Sequence, residues 1–208
     1  MDNLRQTGIL PVICLENQAE TDTLLRAIED TPVNTVEITL RHPFAPEAIA
    51  RIRRLRPMLR IGAGTVLTAD ALEQVASAGV DFCVSPGLHE ALLSQAEARG
   101  IPFLPGCATP SDIQRAAFLG IRTVKFFPAE CVGGTKALKL YQGAFREISF
   151  LPTGGITMEN LADYLRCSNV IACGGSFMVP REMLKAGDSE SIHEAILRCM
   201  EVRKAVSE

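Results

Sequence analysis

Residues 35–55 read TVEITLRHPFAPEAIARIRRL, a short alternating run followed by a helical stretch. In an extended segment Val36, Ile38 and Leu40 share one face, while Thr35, Glu37, Thr39 and Arg41 share the other. The apolar face calls for a helix to pack against, and Pro46–Leu55 supplies a helical pattern directly afterwards. The polar face, with its carboxylate, is then turned into the interior behind the sheet.

The same unit recurs in both directions along the chain. Candidate strands are Ile9–Leu15, Thr35–Leu40, Arg60–Ala63, Asp81–Ser85, Pro102–Pro105, Thr123–Phe127, Ile148–Pro152 and Val170–Cys173. Helical stretches are Ala19–Glu29, Pro46–Leu55, Ala69–Ala78, His89–Arg99, Pro110–Leu119, Gly134–Tyr141, Met158–Cys167 and Ser191–Val206. Thr68, Ser111-Asp112 and Thr157 with Glu159 read as helix starts, and Gly79, Gly100 and Gly120 as helix ends.

Strict alternation of eight strands and eight helices fits a closed barrel or a doubly wound open sheet. The open sheet more often carries a Gly-rich turn after its first strand, and PVICLENQAE (11–20) has none. The expectation is an α/β fold, a single (β/α)8 TIM barrel, with residues 1–208 forming one domain. At 26 residues per unit (208 over eight) the barrel is a short one.

Composition narrows the class. With 47% hydrophobic and 22% charged residues and a net charge of -3, the chain is neither disordered nor basic enough to suggest a nucleic-acid partner. Three His make a multi-histidine metal site hard to build, so no metal is expected. The seven Cys, at 14, 83, 107, 131, 167, 173 and 199, are odd in number and never spaced C-x-x-C, which reads as reduced thiols. The opening residues lack a signal-peptide pattern and no run of 18 apolar residues occurs, so a cytoplasmic protein with no membrane partner is expected.

Strand ends carry the chemistry of such a fold. In Thr123-Val-Lys-Phe-Phe-Pro128, Thr123, Lys125 and Phe127 share a face. The chain has five Lys against sixteen Arg, and Lys125 alone sits in an apolar strand run. Only an amine can lose its proton and attack a carbonyl, which a guanidinium cannot do. An ordinary lysine is neutral in roughly one molecule in 2,500 at pH 7. Desolvation raises that share, and a neighbouring carboxylate opposes the effect. Two plainer readings stand beside this: Glu37 satisfied in an ion pair with Arg41 or Lys125, and a lysine stem snorkelling from a strand end.

Gly62-Ala-Gly-Thr65, Thr153-Gly-Gly155 and Gly174-Gly-Ser176 follow candidate strands three, seven and eight. The last two occupy the places where barrels commonly take a phosphate on backbone N–H groups, although tight turns alone would also explain them.

Together these segments resemble the 2-keto-3-deoxy-6-phosphogluconate (KDPG) aldolases and their 4-hydroxy-2-oxoglutarate (KHG) relatives. The resemblance runs from about Ile9 to Met183 and rests on VEITLR (36–41), GAGTVL (62–67), SPG (85–87), PGCATPSD (105–112), KFFPAE (125–130), PTGGI (152–156) and GGSFMVP (174–180). It implies a metal-independent class I aldolase, without cofactor and usually a homotrimer, acting on a phosphorylated keto acid. It further implies Lys125 as the Schiff-base residue, Glu37 as the proton shuttle, and Arg41 and Thr65 on the substrate carboxylate. Pro86 and Phe127 would shape the pyruvate end, and Thr153 would influence stereochemistry. Gly154, Gly155, Gly174, Gly175 and Ser176 would take the phosphate. Cys14-Leu-Glu16, Cys131-Val132 and Phe177 depart from the family pattern. Two other functions keep the same loops without a nucleophilic lysine: a phosphosugar isomerase or epimerase, and a silent phosphosugar-binding barrel.

Overall fold

The structure, a computed structural model, describes residues 2–207. Its first half runs α1 (Asp2–Thr7), β1 (Ile9–Ile13), α2 (Gln18–Ala27), β2 (Thr35–Thr39), α3 (Ala45–Leu55), β3 (Arg60–Gly64), α4 (Ala69–Ala78), β4 (Phe82–Val84) and α5 (Glu90–Ala98). It continues with β5 (Phe103–Leu104), β6 (Gly106–Cys107), α6 (Pro110–Phe118), β7 (Thr123–Phe126), a 3-10 turn (Glu130–Val132) and α7 (Gly134–Ala144). The remaining elements are β8 (Ser149–Pro152), α8 (Leu161–Leu165), β9 (Cys173–Gly175), α9 (Arg181–Ala186) and α10 (Ser189–Ser207).

Every strand pairing is parallel. Six strands form one sheet in the order β5-β4-β3-β2-β1-β9, and three form another in the order β6-β7-β8. Isolated bridges, Phe150–Val170 and Thr153–Gly174, run from β8 to the segment of β9. The expected parallel α/β alternation is present, with two corrections to its strands. The expected strand Pro102–Pro105 is two short pieces in different sheets, separated by Pro105, which has no N–H to give a ladder. The expected strand Val170–Cys173 lies three residues further on, where Cys173, Gly174 and Gly175 pair with Ile9, Leu10 and Pro11.

Local signals explain the helix ends. Thr68 accepts the Ala71 N–H to start α4, and Gly79 ends it in the left-handed region at φ +89. At α6 the cap is Thr109 rather than Ser111: its hydroxyl accepts the Asp112 N–H while Asp112 accepts from the Thr109 backbone. The expected helix Met158–Cys167 is shorter, beginning after Asn160, whose side chain accepts the Thr157 N–H. Two helices, α1 and α9, have no counterpart in the sequence reading.

The helix-facing sides of the strands build the main core, with Val36, Ile38, Ile49, Ile52, Val124, Phe126 and Phe150 wholly buried. A second cluster gathers Leu10, Phe82, Val84 and Leu104 from the six-stranded sheet with Leu151 from the three-stranded one, and Leu4 of α1 joins it. Burying Val36 and Ile38 is worth about 1.5–3 kcal/mol each. A one-residue slip of β2 would forfeit that and drive Glu37 into the helix layer, so the register is firmly set.

Candidate active site

Alternation along β7 determines where Lys125 points. Val124 and Phe126 face the helices, where the Phe126 ring meets Tyr141 and Phe150 edge-on, each at 6.1 Å between centroids. Lys125 therefore projects from the opposite face, its side chain 8% exposed. In β2, Val36 and Ile38 do the same for Glu37, which is completely buried. The two side chains meet between the sheets, with Lys125 Nζ 3.4 Å from Glu37 Oε1. The amine also lies 5.3 Å from the centre of the Phe127 ring.

Of the two cations considered for Glu37, Lys125 is the partner. Arg41 instead reaches back along its own strand, donating from Nε to Thr39 Oγ1 at 3.2 Å, while Thr39 donates to the Ile13 carbonyl. Taking two charges out of water costs several kcal/mol per ion, recovered only when geometry is good and the remaining lone pairs are satisfied. Here the contact is long and Glu37 Oε2 has no hydrogen-bond partner among the described residues. That is a poor design for a strut. It is a suitable one for a carboxylate that must accept and return protons beside an amine.

Neighbouring backbone accommodates the pair. Gly64 is required by close approach, since a Cβ there would overlap the Glu37 carboxylate. The next residue, Thr65, is held at φ +63, a left-handed conformation uncommon for a β-branched side chain. Pro86 is half-buried, and its carbonyl lies where a side chain on Gly106, the register partner of Lys125, would otherwise sit.

The Gly-rich turns lie on the other flank of the amine. A Cβ on Gly154 would stand 3.2 Å from the Phe127 ring, and one on Gly174 would stand 2.7 Å from Thr153 Oγ1. Thr153 is buried, bridges to Gly174, and its hydroxyl has no partner among the described residues. Gly154 and Gly155 both have positive φ. Gly174 and Gly175 are buried, and Ser176 is exposed just beyond them. The structure thus brings Glu37, Lys125, Phe127, Thr153, Gly154 and Gly174 into one connected set, flanked by Thr65, Pro86, Gly155, Gly175 and Ser176. Arg41 is not brought into this set; its side chain bonds to Thr39 instead. A cleft of about 480 Å³, lined by Asn34, Leu55 and Met58 among others, lies at the opposite strand ends and contains none of these residues.

One feature of this region has no signal in the sequence. Tyr164, fully buried on α8, donates from its hydroxyl to Oε1 of Glu130 in the turn after β7. Burial first, and then this bond, push the hydroxyl well above the ordinary tyrosine range. The partners are 34 residues apart, so no spacing rule links them.

An amine held against a buried carboxylate inside a parallel α/β fold is a pair that can form an adduct with a carbonyl and move a proton beside it. The family model for KDPG and KHG aldolase matches residues 1–195. A 2-dehydro-3-deoxy-phosphogluconate aldolase from Pseudomonas aeruginosa is 41% identical, covering 96% of this chain and 93% of its own length. Two solved structures share the fold. The KDPG aldolase of Legionella pneumophila, with pyruvate captured at low pH as a covalent carbinolamine, has a TM-score of 0.89 and 34% identity over 96% of both chains. The Zymomonas mobilis enzyme with 3-phosphoglycerate has a TM-score of 0.84 and 38% identity over 93% of both. This chain belongs to the KDPG and KHG aldolase family.

Proposed function

We propose that the protein is a class I aldolase cleaving KDPG to pyruvate and glyceraldehyde 3-phosphate, with side activity on KHG. The observation that carries this reading is the buried Lys125–Glu37 pair at 3.4 Å. Lys125 Nζ attacks the keto carbon, and loss of water gives an iminium. That cation is an electron sink, as an organic cofactor would be. Glu37 takes the proton of the C4 hydroxyl, the C3–C4 bond breaks, and its electrons form an enamine while the aldehyde leaves. Glu37 then returns a proton to C3, and hydrolysis of the iminium frees pyruvate and Lys125. Neither metal nor cofactor enters this sequence.

Arg41 and Thr65 hold the substrate carboxylate, the former with a planar fork suited to it. Pro86 and Phe127 shape the pyruvate end, and Thr153 guides the face of attack. The turns at Gly154-Gly155 and Gly174-Gly175-Ser176 take the phosphate. The 3-phosphoglycerate in the Zymomonas mobilis structure supports a phosphate subsite in this family. We read the two sheets as one closed eight-stranded barrel, a single domain over residues 1–208. Its support is the pair of bridges from β8 toward β9 and the break of a single proline between β5 and β6. The chain works as a cytoplasmic homotrimer in this reading.

Borohydride reduction in the presence of pyruvate is the test. A stable adduct on the Lys125 peptide is expected. Its absence would leave the isomerase and the silent binding barrel as the surviving readings and end this one.

A further inference from the structure

The Gly154-Gly155 turn is gripped from behind. The Gly154 carbonyl accepts the Glu130 N–H at 3.1 Å, and the Gly155 carbonyl accepts from Asn160 Nδ2 at 2.9 Å. In a trans peptide the carbonyl and the following N–H point in opposite directions. Fixing these two carbonyls therefore aims the N–H groups of Gly155 and Ile156 away from Glu130 and Asn160. The Glu130 side chain lies directly against the turn: a Cβ on Gly155 would meet Glu130 Cγ at 2.5 Å and Cβ at 2.7 Å. What keeps that side chain in place is the hydroxyl of Tyr164, a residue with no exposed surface.

From this arrangement we infer that Tyr164 and Glu130 are positioning residues for phosphate recognition: the Tyr164–Glu130 bond holds the Gly154-Gly155 peptides in the orientation that selects a phosphorylated substrate over an unphosphorylated one. The inference rests on assigning the phosphate to this turn. It adds a role for two residues that never touch the reacting carbons. Lys125 chemistry is independent of the bond, because Lys125 is held by β7 and Glu37.

Steady-state kinetics of the full chain on KDPG and KHG test it, with Tyr164→Phe as the main variant. Phe keeps the buried ring, so the fold should persist, and thermal melts check this. The KM for KDPG should rise roughly tenfold while the parameters for KHG stay within about twofold, the size expected when a hydrogen bond to a charged group is lost. Borohydride labelling of Lys125 with pyruvate should be unchanged. Glu130→Gln keeps an oxygen that accepts from Tyr164 and should behave like the parent, whereas Glu130→Ala, at an exposed position, should follow Tyr164→Phe. Equal losses on both substrates in Tyr164→Phe, or no change on either, would overturn the inference. Ser176→Ala separates the two layers of the argument. If it lowers kcat/KM for KDPG far more than for KHG, the phosphate assignment stands and the Tyr164 result decides alone; if both fall equally, the assignment fails and the inference falls with it.

Discussion

Lys125 Nζ and Glu37 Oε1 come from residues 88 apart in the chain and from different sheets, yet they stand 3.4 Å apart in the buried space between those sheets. The second oxygen of Glu37 is left without a partner among the described residues. Removing its charge should therefore affect proton transfer more than architecture. Glu37→Gln should lower kcat for KDPG cleavage by about 10²–10⁴ while pyruvate still labels Lys125, more slowly. Unchanged turnover would assign the proton transfer elsewhere.

Stability should expose the same coupling with the opposite asymmetry. Lys125→Met strands a buried carboxylate and should cost about 3–5 kcal/mol in urea unfolding. Adding Glu37→Gln to that variant should recover part of the loss, since an amide is far easier to bury than a lone charge. A double variant as unstable as the sum of the singles would show that the pair is not coupled.

Thr153 offers a separation of fold from function. Its buried hydroxyl has no partner among the described residues, so Thr153→Val removes nothing the folded chain uses. The melting temperature should hold or rise while kcat/KM for KDPG falls. A clear drop in melting temperature would point to a structural role for the hydroxyl.

The capping box of α6 predicts an acid-side effect. Burial alone would raise the Asp112 carboxyl, but bonds from the Thr109 and Ala108 N–H groups and the Thr109 hydroxyl outweigh it and hold the group below its usual range. A lowered folded value means stability that is fully present above the unfolded value, about 3.9, and lost as pH falls through the folded one. Asp112→Ala should thus be less stable than the parent at neutral pH, and the gap should close below about pH 4. A gap independent of pH would argue for lost packing instead.

Thiol chemistry should be equally selective. Burial pushes Cys83, Cys107 and Cys199 up to about 12, so at pH 8 only about one in ten thousand of each is thiolate. Cys131 is exposed and Cys14 half-buried. Ellman's reagent should titrate Cys131 first and Cys14 next in the native protein, with the other five released by denaturant. Rapid reaction of all seven would mean that the buried thiols are reached without unfolding.

Much of this was legible in the chain because alternation is a strong signal wherever one side of a strand packs on helices. Val36, Ile38, Val124 and Phe126 announced which way Glu37 and Lys125 would face. Where the reading slipped, backbone chemistry outweighed apolar content. Pro105 broke a strand whose side chains looked continuous, and Gly174-Gly175, poor strand formers in isolation, pair with β1 at positions where Thr153 and Phe177 leave no room for larger residues. Helix α1 escaped notice because its contribution is one residue, Leu4, placed in a cluster whose other members lie between residues 10 and 172. Periodicity cannot register the Tyr164–Glu130 bond, which depends on helix α8 meeting the turn after β7 in space.

The division of the strands into two sheets has a consequence for how activity arises during synthesis. When the ribosome has released residues as far as Leu104, the six-stranded sheet holds its carboxylate but lacks both an amine and β9, which pairs with β1 only near the end of translation. The three-stranded sheet in turn carries an amine with no base. Neither sheet alone owns both members of the pair, so Glu37 and Lys125 can meet only once the chain has grown past β7 and the two sheets have come together.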